Sequence, residues 1–281
     1  MNENAKTLSY PYLIWISLVI VIPMFLIFLY SIIRPGDGSM AFRFSLANYR
    51  EFLQPLYLRV LWRSFLIALF STAICLLIGY PTAWLIARLP KEQQQGTLMI
   101  FILPLWINML LRTYAWITIL SRNGILNKLL GRMGLGPFEM MYSDFAVILG
   151  MVYNFLPFMI LPIYNAILKV DKSLVDAARD LGANEKSVFL KVIFPLTIPG
   201  VITGITMVFL PAMSTFVIPQ LLGGGQFMMV GNLIERQFLL TGNWYFGSAI
   251  SMVLMIFILI SVSLMKRFDS GEINGKGTLP W

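Results

Sequence analysis

The 281 residues are 58% hydrophobic and 12% charged, with mean hydropathy +0.78 and a formal net charge of +8. That balance excludes a soluble domain and defines an integral membrane protein. Histidine is absent and Cys75 is the single cysteine, which removes Ser-His, Cys-His and His-metal chemistry together with any disulfide or multi-cysteine metal site.

A hydrocarbon core about 30 Å thick takes about 20 helical residues to cross. After a polar tail at 1–11, residues 12–33 make the first charge-free run, read as a retained span because no small-residue cleavage pattern follows it. Residues 34–63 form a long connection. Within it, Ser45 is placed to cap a short amphipathic helix whose Tyr49 and Phe52 can anchor at the interface or flank the mouth of a substrate path. Further charge-free spans are expected at 64–87, 146–168, 197–221 and 246–265, and a polar tail at 266–281.

The third span, 97–120, is interrupted by polar residues and is expected as one continuous helix. Arg112 inside it costs several kcal/mol unless it faces protein, a wet cavity or an interface within reach. Asn108 lies four residues before it, so the two would share one helix face. Pro104 frees a backbone carbonyl that a cavity must satisfy. This span is therefore expected to line a pathway, with Trp106, Tyr114 and Trp116 offering aromatic faces to a passing cation or serving as belt residues. Pro157 in the fourth span and Pro211 in the fifth are places where helices can bend. Six spans put both termini on one side. Basic residues fall almost equally on the two sides, so charge bias does not orient the chain, and their scatter through the loops suits anionic lipid rather than nucleic acid.

Between the fourth and fifth spans lies a charged island, 169–195. Ser173 can cap a first helix, with Leu174, Ala177, Ala178 and Leu181 on one small-sided apolar face. Gly182 is suited to end it in a left-handed turn, and Asn184 to cap a second helix running into the next span.

The pattern Asp176-Ala177-Ala178, Gly182, Val192 and Phe194-Pro195 resembles the coupling loop of binding-protein-dependent ABC importer permeases, with Asp for Glu, Val for Ile and Phe for Leu. Membership would imply an all-α membrane protein with six transmembrane helices in the MetI-like fold of type I importer permeases, resident in a bacterial inner membrane with both termini cytoplasmic. It would also imply a second homologous permease, two ATP-binding-cassette subunits that hold ATP and Mg, and an extracytoplasmic binding protein. Asp176, Ala177, Ala178, Arg179, Leu181 and Gly182 would then couple ATPase closure to the pore. No Gly-x-x-x-x-Gly-Lys-[Ser/Thr] occurs in this chain, consistent with ATP held elsewhere.

Softer strings, among them Ala47-Asn48-Tyr49, Gly79-Tyr-Pro81, Leu111-Arg112-Thr-Tyr114 and Leu156-Pro157-Phe158, resemble the first permease subunit of spermidine/putrescine importers. That likeness implies polyamine cargo met by Tyr49, Trp106, Asn108, Arg112, Tyr114 and Trp116. Arg112 would repel a polycation if it faced the pore, and an anion or another small solute is the alternative cargo. An intramembrane enzyme or a channel is disfavoured: the spans hold no acid or histidine to work with, and a channel has no use for the 169–195 loop.

Overall fold

The computed structural model describes residues 11, 14–35, 42–225 and 227–273, so most of the tail expected at 1–11 and the end of that expected at 266–281 lie outside the described residues. In chain order the elements are α1 (Ile14–Ser31), β1 (Ile33–Pro35), β2 (Phe42–Phe44), α2 (Ala47–Phe52), α3 (Pro55–Arg88) and α4 (Lys91–Trp106). Then come α5 (Met109–Leu120), α6 (Ile125–Arg132), α7 (Asp144–Leu168), α8 (Lys172–Asp180), α9 (Glu185–Ser214), α10 (Val217–Leu222), α11 (Val230–Glu235) and α12 (Trp244–Ile273). Among the described residues five helices are long and apolar enough to cross a membrane, and a sixth span results if the bent pair α4 and 109–132 is counted as one.

The chain divides into two compact units, residues 1–61 with 230–257 and residues 62–229 with 258–281. In the first, α1 is apolar on all sides and only 6% of its apolar window is buried within the chain. Such a helix needs apolar surroundings. The antiparallel ribbon β1–β2 sets Ile33 opposite Phe44. Ser45 Oγ accepts from the Ala47 amide at 3.2 Å, so α2 starts two residues beyond the serine expected to cap it. Asn48 fastens α2 to the end of α1. Its Nδ2 donates to the carbonyls of Ser31 and Ile33, each at 3.2 Å, and its Oδ1 accepts from Arg34 Nε at 2.9 Å. Aromatic pairs fill the rest of this unit: ring centroids are 5.7 Å apart for Tyr30 and Tyr245 and 4.9 Å for Tyr57 and Phe246. Both are edge-on, the arrangement that opposite ends of the ring quadrupole favour.

In the second unit α7 is the central helix, with 61% of its apolar window buried. It packs on α9 through small residues: a Cβ at Gly200 would stand 2.8 Å from Pro162 O, and one at Gly204 2.8 Å from Met159 Sδ. Lipid supplies no hydrophobic force between helices, so close backbone approach and dispersion hold such a pair. Tyr80 of α3 shares a hydrogen bond with Thr197 of α9 at 2.8 Å, which satisfies both hydroxyls away from water.

Two spans differ from the sequence expectation. The stretch expected as a single helix over 97–120 is two helices bent by 94°. Pro104 cannot donate to the carbonyl one turn back, and Asn108 Oδ1 accepts from the Leu110 amide at 2.8 Å, so the asparagine caps a new helix instead of continuing the old one. Asn108 is thus the cap of α5, one turn before Arg112, and its carbonyl accepts from the Arg112 amide at 3.2 Å as the first bond of that helix. The expected 197–221 span is also displaced. Helix α9 begins at Glu185 as α-helix, passes through one π-helical stretch at Phe189–Ile193, returns to α-helix to Ser214, and gives way to extended Thr215 before α10.

Candidate functional site

The 169–195 loop is built as helix, turn and helix. Asp171, not Ser173, caps α8: its Oδ1 accepts from the Ser173 amide at 2.9 Å. That hydrogen bond is the main cause holding the Asp171 carboxyl below its ordinary value. Helix α8 closes with paired bonds, the Gly182 amide to Arg179 O at 2.8 Å and the Ala183 amide to Ala178 O at 3.1 Å. This closure requires a left-handed residue, and Gly182 has φ +82°. Nothing lies within 4 Å of where a Cβ on Gly182 would be, so its backbone angle, not space, demands glycine. Asn184 Oδ1 then accepts from the Ser187 amide at 2.8 Å and caps α9.

A string of charges crosses this turn. Arg179 reaches Glu185 at 2.9 Å and Asp176 at 3.4 Å, and Arg88 at the end of α3 reaches Glu185 at 3.4 Å. Each pair is exposed and worth at most about 1 kcal/mol. Arg88 also lies 4.4 Å above the Trp84 ring. The apolar side of α8 is largely open: Leu174 is 50% and Leu181 89% exposed, Ala177 is exposed and Ala178 half-buried. Of the residues expected to couple, Asp176, Ala177, Arg179, Leu181 and Gly182 are exposed and Ala178 is half-buried.

The expected pathway residues are divided between the two units. Tyr49 belongs to the first unit, where its hydroxyl is 2.8 Å from Ser31 Oγ. In the second, Trp106 at the end of α4 is 77% exposed and Tyr114 on α5 is 53% exposed. Trp116 instead packs edge-on against Tyr153 of α7 at 5.4 Å. Arg112 has buried Nε and Nη1 atoms with no hydrogen-bond partner among the described residues, and the same is true of Asn154 Oδ1 on α7. Pro157 is buried in α7, whereas Pro211 is exposed near the end of α9 and its carbonyl accepts from the Thr215 amide at 2.9 Å.

Two features escaped the sequence reading. A cavity of about 640 Å³ between α7 and α9 is lined by Phe158, Asn165, Lys169, Thr203 and Met207. Helical spacing of Phe158, Asn165 and Lys169 along 146–168 and its border could have marked this face. Arg63 lies 4.0 Å above the Phe227 ring and 3.0 Å from Asp144, a pairing across distant sequence that no local pattern records.

A bundle of membrane-length helices with a capped, outward helix-turn-helix between its fourth and fifth apolar segments defines a transport-system membrane component. The chain belongs to the binding-protein-dependent transport system inner membrane component family, whose model matches residues 3–272. It is 41% identical over 256 residues to the spermidine/putrescine transport system permease protein PotB of Haemophilus influenzae, covering 90% of each chain. Identity to the PotB permease of Escherichia coli K12 is 42% over 245 residues, covering 86% of this chain and 89% of that protein. A bacterial alginate ABC transporter, in complex with a pentasaccharide-bound periplasmic protein, contains a chain that matches with a TM-score of 0.76 at 16% identity, covering 98% of this chain and 96% of that one. That likeness is one of fold.

Proposed function

We infer that this chain is a permease subunit of an ATP-driven polyamine importer and supplies half of the translocation path. The supporting observation is the identity of 41–42% to spermidine/putrescine permeases, which runs over 86–90% of the chain rather than over one motif. The other half of the path belongs to a second homologous permease. Two cytoplasmic ATPase subunits hold ATP and Mg, and a periplasmic binding protein delivers the polyamine. On this reading 169–195, both termini and the α3–α4 connection are cytoplasmic.

The outward apolar surface of α8 is the docking element for an ATPase cleft. Its capping by Asp171, its closure at Gly182 and the capping of α9 by Asn184 make the turn stiff, so a push on Leu174 and Leu181 moves α9 as a lever. Trp106 and Tyr114, exposed and aromatic, contact the polycation at about 0.5 to 2 kcal/mol per ring. Trp116, Asn108 and Arg112 act behind them, as wall and hinge. Pro157 and Pro211 mark the bending points of α7 and α9.

A second reading, import of an anionic solute, is favoured by the unpartnered nitrogens of Arg112. Uptake of labelled putrescine and spermidine, with sulfate as a control, decides between them in cells lacking their own polyamine importers and given the whole system with or without this chain. Saturable polyamine uptake that disappears with this chain is the expected result. Sulfate uptake without polyamine uptake would overturn the polyamine reading and keep the permease.

A further inference from the structure

Where α3 ends, α4 begins and α7 runs out, the second unit forms a half-open cavity of about 1080 Å³. Arg88, Lys91 and Lys172 line it, and no carboxylate does. Arg88 shares its charge with Glu185, but among the described residues Lys91 and Lys172 have no ion-pair partner. Two cations without an ion-pair partner, beside a third shared with Glu185, leave this lining with an excess of positive charge that an anion would relieve.

The frame of this cavity is held without a ligand. Gln94 Nε2 donates to Leu89 O at 2.8 Å and to Ala87 O at 3.2 Å, closing the end of α3. Its Oε1 accepts from Tyr164 Oη at 3.1 Å, and Tyr164 is only 7% exposed. Leu98 on α4 and Leu168 on α7 add apolar wall to the same cavity. Leu168 is the last residue of a membrane-length helix and Lys172 the first of α8. Lys172 therefore lies just past the end of a membrane-length helix, where a span meets lipid headgroups.

We propose that this cavity is a binding site for the phosphate headgroup of an anionic phospholipid of the cytoplasmic leaflet. The site rests on the cytoplasmic placement of the 169–195 loop given above. A free phosphate shares the chemistry of the headgroup but makes no use of Leu98 and Leu168. Lys172 opens the coupling helix, so an occupied site ties α8 to the ends of α3 and α4 through one bound phosphate.

The test is native mass spectrometry of the assembled transporter carrying this chain, incubated with equal phosphatidylglycerol and phosphatidylcholine. The expected result is preferential retention of phosphatidylglycerol, reduced roughly tenfold in a Lys91→Gln/Lys172→Gln variant and restored in Lys91→Arg/Lys172→Arg. Both lysines are exposed, so their replacement removes charge and leaves packing alone. Equal retention by all three forms would overturn the site. Displacement of the lipid by millimolar inorganic phosphate would overturn the lipid assignment in favour of a soluble anion. A photo-crosslinker at Gln95 should capture phospholipid, and capture of an ATPase subunit instead would overturn the site. Labelling of Gln95→Cys by a membrane-impermeant maleimide is expected from the cytoplasmic side. Labelling from the outer side would overturn the orientation, an outcome separate from the lipid-retention result.

Discussion

The second unit interrupts its helices at Gly182 and at Asn108, and the two interruptions are built on opposite principles. At Gly182 the chain leaves α8 through a left-handed residue in open space, and charges from Asp176 to Glu185 surround it. At Asn108 the chain turns by 94° inside an apolar stretch, with a missing proline donor on one side and an asparagine cap on the other. The first break is a backbone requirement made visible by polarity. The second is a competition between hydrogen bonds within a sequence that remains hydrophobic from Leu98 to Leu120 apart from a few polar residues. A break at the surface needs only a residue that tolerates its angles, whereas one inside the apolar layer must also find partners for freed backbone groups.

Breaking the surface turn should have the largest effect. Gly182→Val forces a β-branched residue to φ +82°, a strain of about 1–2 kcal/mol. Polyamine uptake should fall tenfold or more while the protein remains in the membrane at normal abundance; unchanged uptake would remove the turn from the coupling path. The inner break should respond less. Asn108→Ala deletes the cap of α5 at about 1 kcal/mol, and uptake should drop severalfold, with Asn108→Ser recovering most of it. If serine recovered nothing, the side chain would be acting on substrate and not on the backbone.

The smallest effect sharpens the comparison rather than breaking it. The Asp171 carboxyl is lowered by its bond from Ser173, so it stabilises the start of α8 above its ordinary pKa, and this contribution disappears as pH falls through the lowered value. Amide exchange at Ser173 should therefore quicken below the ordinary carboxylate range. In Asp171→Asn, which retains an oxygen to accept the bond, exchange should show no such step. A step that persisted in the asparagine variant would assign it to another group.

Legibility followed the same division. The loop could be read residue by residue: Asn184 caps α9 and Gly182 takes the left-handed angle, as polar spacing required. Even there the cap of α8 fell on Asp171 and not Ser173, because either side chain can reach the amides of a helix start and the backbone selects one. In the pathway the aromatic residues were recognisable as a group, yet their roles were not. Trp106 and Tyr114 point away from the protein while Trp116 seats on Tyr153, and Tyr49 is bound to Ser31. A side chain four residues from its neighbour looks the same in sequence whether the helix between them exists or not.

Composition by itself determined that the chain lives in a bilayer, since 58% hydrophobic residues in runs of membrane length have no stable alternative in water. The charge and glycine pattern of 169–195 determined a helix-turn-helix, because caps and left-handed turns depend on residues only a few positions apart. Only the tertiary structure decided that the third span bends, that Gly200 and Gly204 bring α9 onto α7, and that Arg88, Lys91 and Lys172 surround one cavity. The last two are set by contacts between elements apart in the chain, where helix ends and packing distances fix which groups meet, whereas the bend is a local competition between the missing Pro104 donor and the Asn108 cap that hydrophobic periodicity does not rank.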